Sequence, residues 1–236
     1  MAVTNETVQI GEITLIWGDA FDHLPRLRGH AHVLCTDHPY RLTSGGVAAP
    51  GEGPMSGKFD PDAYDNSGDL MQMAEWNRTA GPIYRALKAN ADAYIMVNDK
   101  NIQLAWGAFQ GAGFKFHNML AWNKGAPTRN RWYMKNLEYT LYMWKGRAST
   151  IRRPGSTQLY QANRPPEKYH PTQKPIELMR HYISNSAKFG QCILDPYMGS
   201  GTTMVAAAME GMSWGGIESN RAYFDTSCQR VREAVE

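Results

Sequence analysis

Two short runs of this 236-residue chain hold side chains whose types and spacing suit chemistry. The first, Val33-Leu34-Cys35-Thr36-Asp37-His38-Pro39-Tyr40, reads as a buried strand that ends in a carboxylate, a rigid turn and an aromatic ring. Ligands of open parallel sheets bind beyond the carboxyl ends of the strands. At such an end Asp37 can accept a hydrogen bond from an amino group, the backbone carbonyl of His38 can accept a second, and Tyr40 can stack on a planar ring. That set suits the exocyclic amine of a nucleobase. On its own the run is equally a strand followed by a turn.

The second run, Ile193-Leu194-Asp195-Pro196-Tyr197-Met198-Gly199-Ser200-Gly201-Thr202-Thr203, reads as a strand that turns through closely spaced glycines into a helix. Glycines there let the backbone approach a ligand and leave the first N–H groups of the helix facing it. A phosphate loop is the first rival, but no Lys follows Gly201 and the Walker pattern fails. Glu218 closes the next expected strand about 20 residues on, placed to accept hydrogen bonds from ribose hydroxyls. A nucleoside cofactor without phosphates fits the combination. A Gly-rich turn beside an ordinary surface Glu is the plainer reading.

Both runs need a scaffold that brings strand ends together. Short apolar runs alternate with segments of helical period, the pattern of a parallel sheet flanked by helices. Strands are expected at 13–17, 32–36, 93–98, 117–123, 138–144, 192–195 and 214–218, and helices at 69–88, 101–111, 175–188, 201–210 and 220–235. The last carries Phe224, Cys228, Val231 and Val235 as an apolar stripe, and Pro175 marks another helix start. Residues 43–67, rich in Gly, Pro and Asp, are expected to form a mobile loop, and 150–166 a polar one; loops of this length tend to be lids or binding loops. With no repeat and no low-complexity linker, residues 1–236 are expected to form one domain.

Hydrophobic residues at 42%, aromatics at 11% and charged residues at 20% exclude disorder. No apolar run approaches the ~18 residues of a bilayer span, and the first 18 residues lack the order of a signal peptide. The expectation is a soluble cytoplasmic protein. Cys35, Cys192 and Cys228 are odd in number and lack ligand spacing, which predicts reduced thiols and no metal site. The net charge of +3 conceals a division. From Lys124 to Lys168 ten basic residues face two acidic ones, a net +8 that leaves −5 on the rest. A basic block on an acidic remainder suits a phosphate backbone, although a charged stretch is also what a solvated face looks like.

Together and in this order, the runs resemble those of DNA amino-methyltransferases dependent on S-adenosylmethionine, of the β arrangement in which the catalytic motif precedes the cofactor motif. Asp37-His38-Pro39-Tyr40 is similar to the catalytic signature Asp/Asn/Ser-Pro-Pro-Tyr, and Asp195 to Thr203 to Asp-Pro-Phe-x-Gly-Ser-Gly-Thr-Thr, with Tyr197 in place of Phe. The family's His-Pro-Thr-Gln-Lys-Pro stands unchanged at His170 to Pro175, where a helix-capping turn is the plainer reading, and its early Gly-Asp at Gly18-Asp19. The resemblance implies a Rossmann-like class I methyltransferase fold of the α/β class, with a mostly parallel seven-stranded sheet, helices on both faces and a circularly permuted motif order. It implies Asp37, His38, Pro39 and Tyr40 as catalytic residues and Asp19 and Ala20 at the cofactor adenine. It further implies Glu218 at the ribose, Asp195, Tyr197, Gly199, Ser200, Gly201 and Thr202 around the methionine part, and Lys174 near its carboxylate. The basic block takes the place of the target-recognition segment, so Lys124, Arg129, Arg131, Lys135, Arg147, Arg152, Arg153 and Arg164 are the implied contacts to double-stranded DNA. A homodimer is a further implication.

The implied reaction is direct transfer of a methyl group to an amine nitrogen, with Asp37 and the His38 carbonyl accepting both N–H groups and base flipping offset by stacking on Tyr40. Cytosine C5 chemistry would need a nucleophilic Cys, and Cys35 sits inside a strand, where an inert thiol is expected. Tyr139 is a candidate second stacking residue, while Trp132, Tyr133 and Tyr160 suit either DNA or local packing. His38 departs from the family's Pro, predicting a less pre-organised turn that keeps activity. His170 is expected to be structural. Asp at the first catalytic position leans towards N6 of adenine. Alternatives are N4 of cytosine, a catalytically weakened DNA-binding regulator, and methylation of a protein glutamine amide, against which Asp37 and the basic block count.

Overall fold

The structure, a computed structural model, describes residues 6–39, 74–128, 133–166, 169–170 and 172–236. The expected loop 43–67, Tyr40, Arg129, Arg131 and Trp132 lie outside the described residues.

Strand β1 (Glu6–Ile10) turns back through Gly11, at φ +55°, into the antiparallel β2 (Ile13–Trp17). Asp19 caps the short α1 (Ala20–His23) by accepting the N–H of Phe21 at 2.8 Å, and a 3-10 turn follows at Leu24–Arg26. The chain continues as β3 (Ala31–Asp37), α2 (Trp76–Ala86), β4 (Leu87–Val97), α3 (Ile102–Gly111), β5 (Lys115–Thr128), β6 (Lys135–Trp144) and β7 (Leu159–Gln161). It ends with α4 (Ile176–Ser186), β8 (Ile193–Leu194), α5 (Thr202–Met209), β9 (Gly216–Glu218) and α6 (Arg221–Val235).

The α/β class stands, but the seven-strand count is corrected. Among the described residues, six strands run in the order β7-β5-β6-β4-β3-β8 and three in the order β1-β2-β9. Two isolated parallel bridges, Cys192 to Ser213 and Asp195 to Gly216, join β8 to β9. The extra strands are edges with little apolar signal: β1 buries only Ile10, and β7 is three residues within the stretch expected to be a loop. Helix α2 also stops short of the expected residue 88, because Leu87 already pairs with Ala31 as the first residue of β4.

Period-2 alternation decides which side chains meet. On β3, Val33 and Cys35 join one core with Leu178, Met179 and Tyr182 of α4, Met204 of α5 and Phe224 of α6. Leu34, between them, joins the other core with Ile83 of α2 and Phe109 of α3. The parallel pairs β3–β4 and β3–β8 then place the ends of these strands along one edge of the sheet. No described helix is long and apolar enough to cross a membrane.

Gly215 marks where β9 is pressed against the hairpin, since a Cβ there would lie 2.4 Å from the backbone oxygen of Thr14. Gly215→Ala is expected to destabilise the fold by about 1–3 kcal/mol, measured as a lower urea midpoint at unchanged slope.

Candidate active site

Asp37 ends β3 on the side of the sheet that carries α4. Thr36, facing the other way, donates to Asp195 Oδ1 at 2.8 Å and ties the ends of β3 and β8 together. Burial pushes Asp195 up to about 6, against hydrogen bonds from Thr203, Thr36 and the Tyr197 N–H that favour its charged form. Its role is therefore a strut under the turn as well as a wall of the site. Cys35 is fully buried against Met179, and burial pushes its thiol well above the ordinary range, as expected of an inert cysteine.

His38 is 1% exposed, and its ring stacks on Trp76 at 3.9 Å while Nε2 meets Thr79 Oγ1 at 2.9 Å. Burial pushes it down to about 3, so the imidazole is neutral. The ring belongs to the core beneath α2. Packing thus supplies restraint that the absent proline ring would otherwise give.

Asp37 and Pro39 open on a cavity of about 390 Å³ that Asp19, Ala20, Lys174, Asp195, Tyr197, Gly199, Ser200, Thr202 and Glu218 also line. Gly201 supports this cavity from behind. Its φ of +82° needs glycine, and a Cβ would lie 2.6 Å from Ser227 Cβ of α6. At Gly199 the nearest atom to a Cβ is His170 Cδ2 at 3.9 Å, so this part of the turn leaves room. Glu218 accepts the N–H of Gly199 on Oε2 at 2.9 Å and that of Asn220 on Oε1 at 2.7 Å, which aims its carboxylate at the turn. Burial raises Glu218 and those N–H groups counter it. His170 also lines the cavity. Its Nδ1 lies 3.2 Å from the Thr172 N–H and 3.0 Å from Thr172 Oγ1, and burial followed by Lys174 lowers it to about 4.

Sequence pattern gave no sign of the supporting roles of Arg230 and Glu138, and assigned Lys124 a different one. Arg230 of α6 is buried and sends Nη1 to Ser200 O at 2.6 Å, Ser200 Oγ at 3.1 Å and Thr202 Oγ1 at 3.3 Å, fixing the glycine turn. Glu138 of β6 and Lys124 of β5 form an ion pair at 3.1 Å. Glu138 also lies 3.4 Å from Lys174, which itself donates to Asp37 Oδ2 at 2.5 Å. Burial raises Glu138, yet Lys174 and Lys124 bring it below the usual carboxylate range. Only the even-numbered positions of β6 could have hinted at this, because Glu138 shares a face with the core residue Tyr142. Tyr139 is corrected by the same rule: it packs with the opposite core, on the far side of the sheet from Asp37. Tyr160 packs locally, 4.9 Å from His181.

The sequence pattern of the family described as DNA methylase, covering N6 and N4 enzymes, matches residues 31–229. The chain belongs to this family. The type II methyltransferase M2.DpnII of Streptococcus pneumoniae is 27% identical over 95% of this methylase and 91% of its own length. M2.LlaDCHI of Lactococcus lactis subsp. cremoris is also 27% identical, over 94% and 90%. Among solved structures, the M1.HpyAVI–SAM complex aligns with a TM-score of 0.70 at 23% identity, over 92% of this chain and 99% of that one. The cytosine-N4-specific PvuII DNA methyltransferase gives 0.71 at 14%, over 94% and 87%. These two likenesses establish the class I methyltransferase fold.

The basic residues of the methylase do not form one patch. Lys124 is 9% exposed and engaged with Glu138, so it is corrected from a surface contact to part of the buried charge cluster. Lys135 pairs with Asp99 at 2.9 Å, and Arg164 follows β7, whose pairing with β5 runs towards the Asp37 edge. Arg147 and Arg152 lie at the other end. The Arg147 N–H bonds Asn90 Oδ1 beside the start of β4, and Arg152 reaches Ala187 O beyond the C-terminus of α4. Arg153 is exposed beside Arg152. The chain runs away from the Asp37 edge along β6, which carries these arginines with it.

Between about pH 3 and pH 6.5, His38 binds fewer protons folded than unfolded. It therefore contributes stability above that pH which is lost as pH falls towards 3. His38→Phe keeps a ring on Trp76 but cannot protonate. Its urea midpoint is expected to decline less than that of the wild type between pH 6.5 and 4.

Proposed function

We propose that this methylase transfers a methyl group from S-adenosylmethionine to N6 of an adenine flipped out of double-stranded DNA, acting in the cytoplasm. The observation that carries the reading is Asp37: a carboxylate at a parallel strand end shares one cavity with the glycine turn and Glu218. An acceptor for an amine thus adjoins a site shaped for a nucleoside.

The residues present fit the cofactor. Glu218 offers acceptors for the ribose hydroxyls, and Asp19 and Ala20 stand beside Glu218 in the cavity wall, where the adenine would lie. The N-terminus of α5, with Ser200 and Thr202, offers partial positive charge and N–H groups for the methionine carboxylate. S-adenosylmethionine, when bound, supplies an electrophilic methyl group on sulfur. Asp37 accepts one N–H of the target amine and the His38 carbonyl the other, which draws the nitrogen lone pair out of the ring and towards that methyl. The nitrogen gains a carbon and sheds one proton, which Asp37 can receive. Flipping costs a few kcal/mol, and Tyr40, the stacking residue of this reading, would offset part of it. Asp rather than Ser at position 37 supports adenine.

Incubation with unmethylated DNA and labelled S-adenosylmethionine, followed by digestion to nucleosides and mass analysis, is expected to yield N6-methyladenine. N4-methylcytosine would transfer the same geometry to cytosine, and DNA binding without label would replace the reading with a regulatory one. Asp37→Ala is expected to lower transfer by about 100-fold or more. Arg164→Ala is expected to flatten the dependence of log binding on log salt by about 1, while Arg152→Ala, at the opposite end, leaves it unchanged.

A further inference from the structure

We infer that Lys174, backed by Glu138 and Lys124, is a positioning residue for Asp37 and not a ligand of the cofactor carboxylate. The inference rests on the reading of Asp37 as the acceptor of the target amine.

An ammonium group has three N–H donors. Among the described residues, Lys174 Nζ donates to Asp37 Oδ2 at 2.5 Å and Thr172 O at 3.1 Å, and Glu138 Oε2 lies at ion-pair distance, 3.4 Å. The donors are thereby engaged on the amine-acceptor side of the cavity. Lys174 is 7% exposed, so turning Nζ to a new partner would leave Asp37 and Glu138 as facing carboxylates in a poorly solvated place. Beyond it the charges alternate, Asp37, Lys174, Glu138, Lys124, with Glu138 Oε1 held by Lys124 at 3.1 Å. Such a row is neutral as a whole and fixes each member between opposite charges.

The arrangement does two things for Asp37. It occupies Oδ2, while the described residues give Oδ1 no hydrogen-bond partner, so one oxygen is anchored and the other remains an acceptor. It also favours the ionised form. Burial raises Asp37 above the usual carboxylate range, Lys174 opposes that rise, and Glu138 adds to it. Among the described residues, the other titratable groups coupled to Asp37 are Asp195 beyond β8 and Cys35 on β3 itself, while β4 faces it with Met96. His170 and Lys124 act through Lys174 and Glu138.

A protonated Asp37 offers a donor where an acceptor is needed, so activity falls as pH drops through its pKa. Removing Lys174 moves that acid limb to higher pH, and removing the Glu138 charge moves it to lower pH. The test compares pH profiles of kcat/KM for the wild type, Lys174→Met and Glu138→Gln, with S-adenosylmethionine binding measured separately by equilibrium dialysis. Lys174→Met is expected to lose about 100-fold in kcat, the scale of a misplaced reacting group. The two limbs are expected to shift in opposite directions. Cofactor affinity is expected to change by less than about threefold. A limb that stays in place, shifts of the same sign, or a cofactor affinity weakened about tenfold or more in Lys174→Met would overturn the inference. Should Lys174→Met not fold, Lys174→Arg, expected to hold the wild-type limb, and Glu138→Gln decide the question in the same way. Methyl transfer by the wild type and its loss in Asp37→Ala are the controls. Their failure removes the reading of Asp37, whereas their success with unmoved limbs removes only the role of Lys174.

Discussion

The ion pair between Lys174 and Asp37 is the contact on which the geometry of this site depends. A carboxylate taken out of water loses several kcal/mol of hydration, and a buried ammonium loses as much, so neither is stable there alone. Each must be answered by the other and by further polar groups. Asp37 comes from the end of β3, Lys174 from the approach to α4, Glu138 from β6 and Lys124 from β5. Four separate segments are therefore held in register at one edge of the sheet by charge neutrality, in addition to the apolar cores beneath.

The glycine turn is governed by a second constraint of a different kind. Gly201 has no room for a side chain because Ser227 of α6 occupies the space, and Arg230, one turn further along that helix, bonds the oxygens of Ser200 and Thr202. A guanidinium near a helix N-terminus is electrostatically disfavoured. It is accommodated because it meets a carbonyl and two hydroxyl oxygens and lies 4.7 Å from the Tyr169 ring. Helix α6 thus shapes the glycine-turn side of the cavity without lining it at Arg230.

The positive charge between Lys124 and Lys168 acquires three different fates on folding. Lys124 neutralises a part-buried carboxylate, Lys135 opens β6 and Arg164 follows β7 at the Asp37 edge, and Arg147 and Arg152 are carried to the opposite end. A stretch that is contiguous in the chain is split because β6 runs antiparallel to β4 and crosses the full depth of the sheet.

Local periodicity and turn chemistry were enough to read the α/β class, the strand that delivers Asp37, the glycine turn before α5 and the strand that delivers Glu218, since each depends on residues a few positions apart. The edge strands β1 and β7 were hidden because edges bury little. Alternation also placed Glu138 on one face of β6 and Tyr139 on the other, but not what either would touch. The partners themselves were decided only in three dimensions: Lys174 meets Asp37 across 137 positions, His38 lies on Trp76, and Arg230 reaches back to Ser200. Chain period determines the direction in which a side chain points. What stands opposite it depends on how helices and strands pack, and a buried charge takes whichever counter-charge that packing brings within reach.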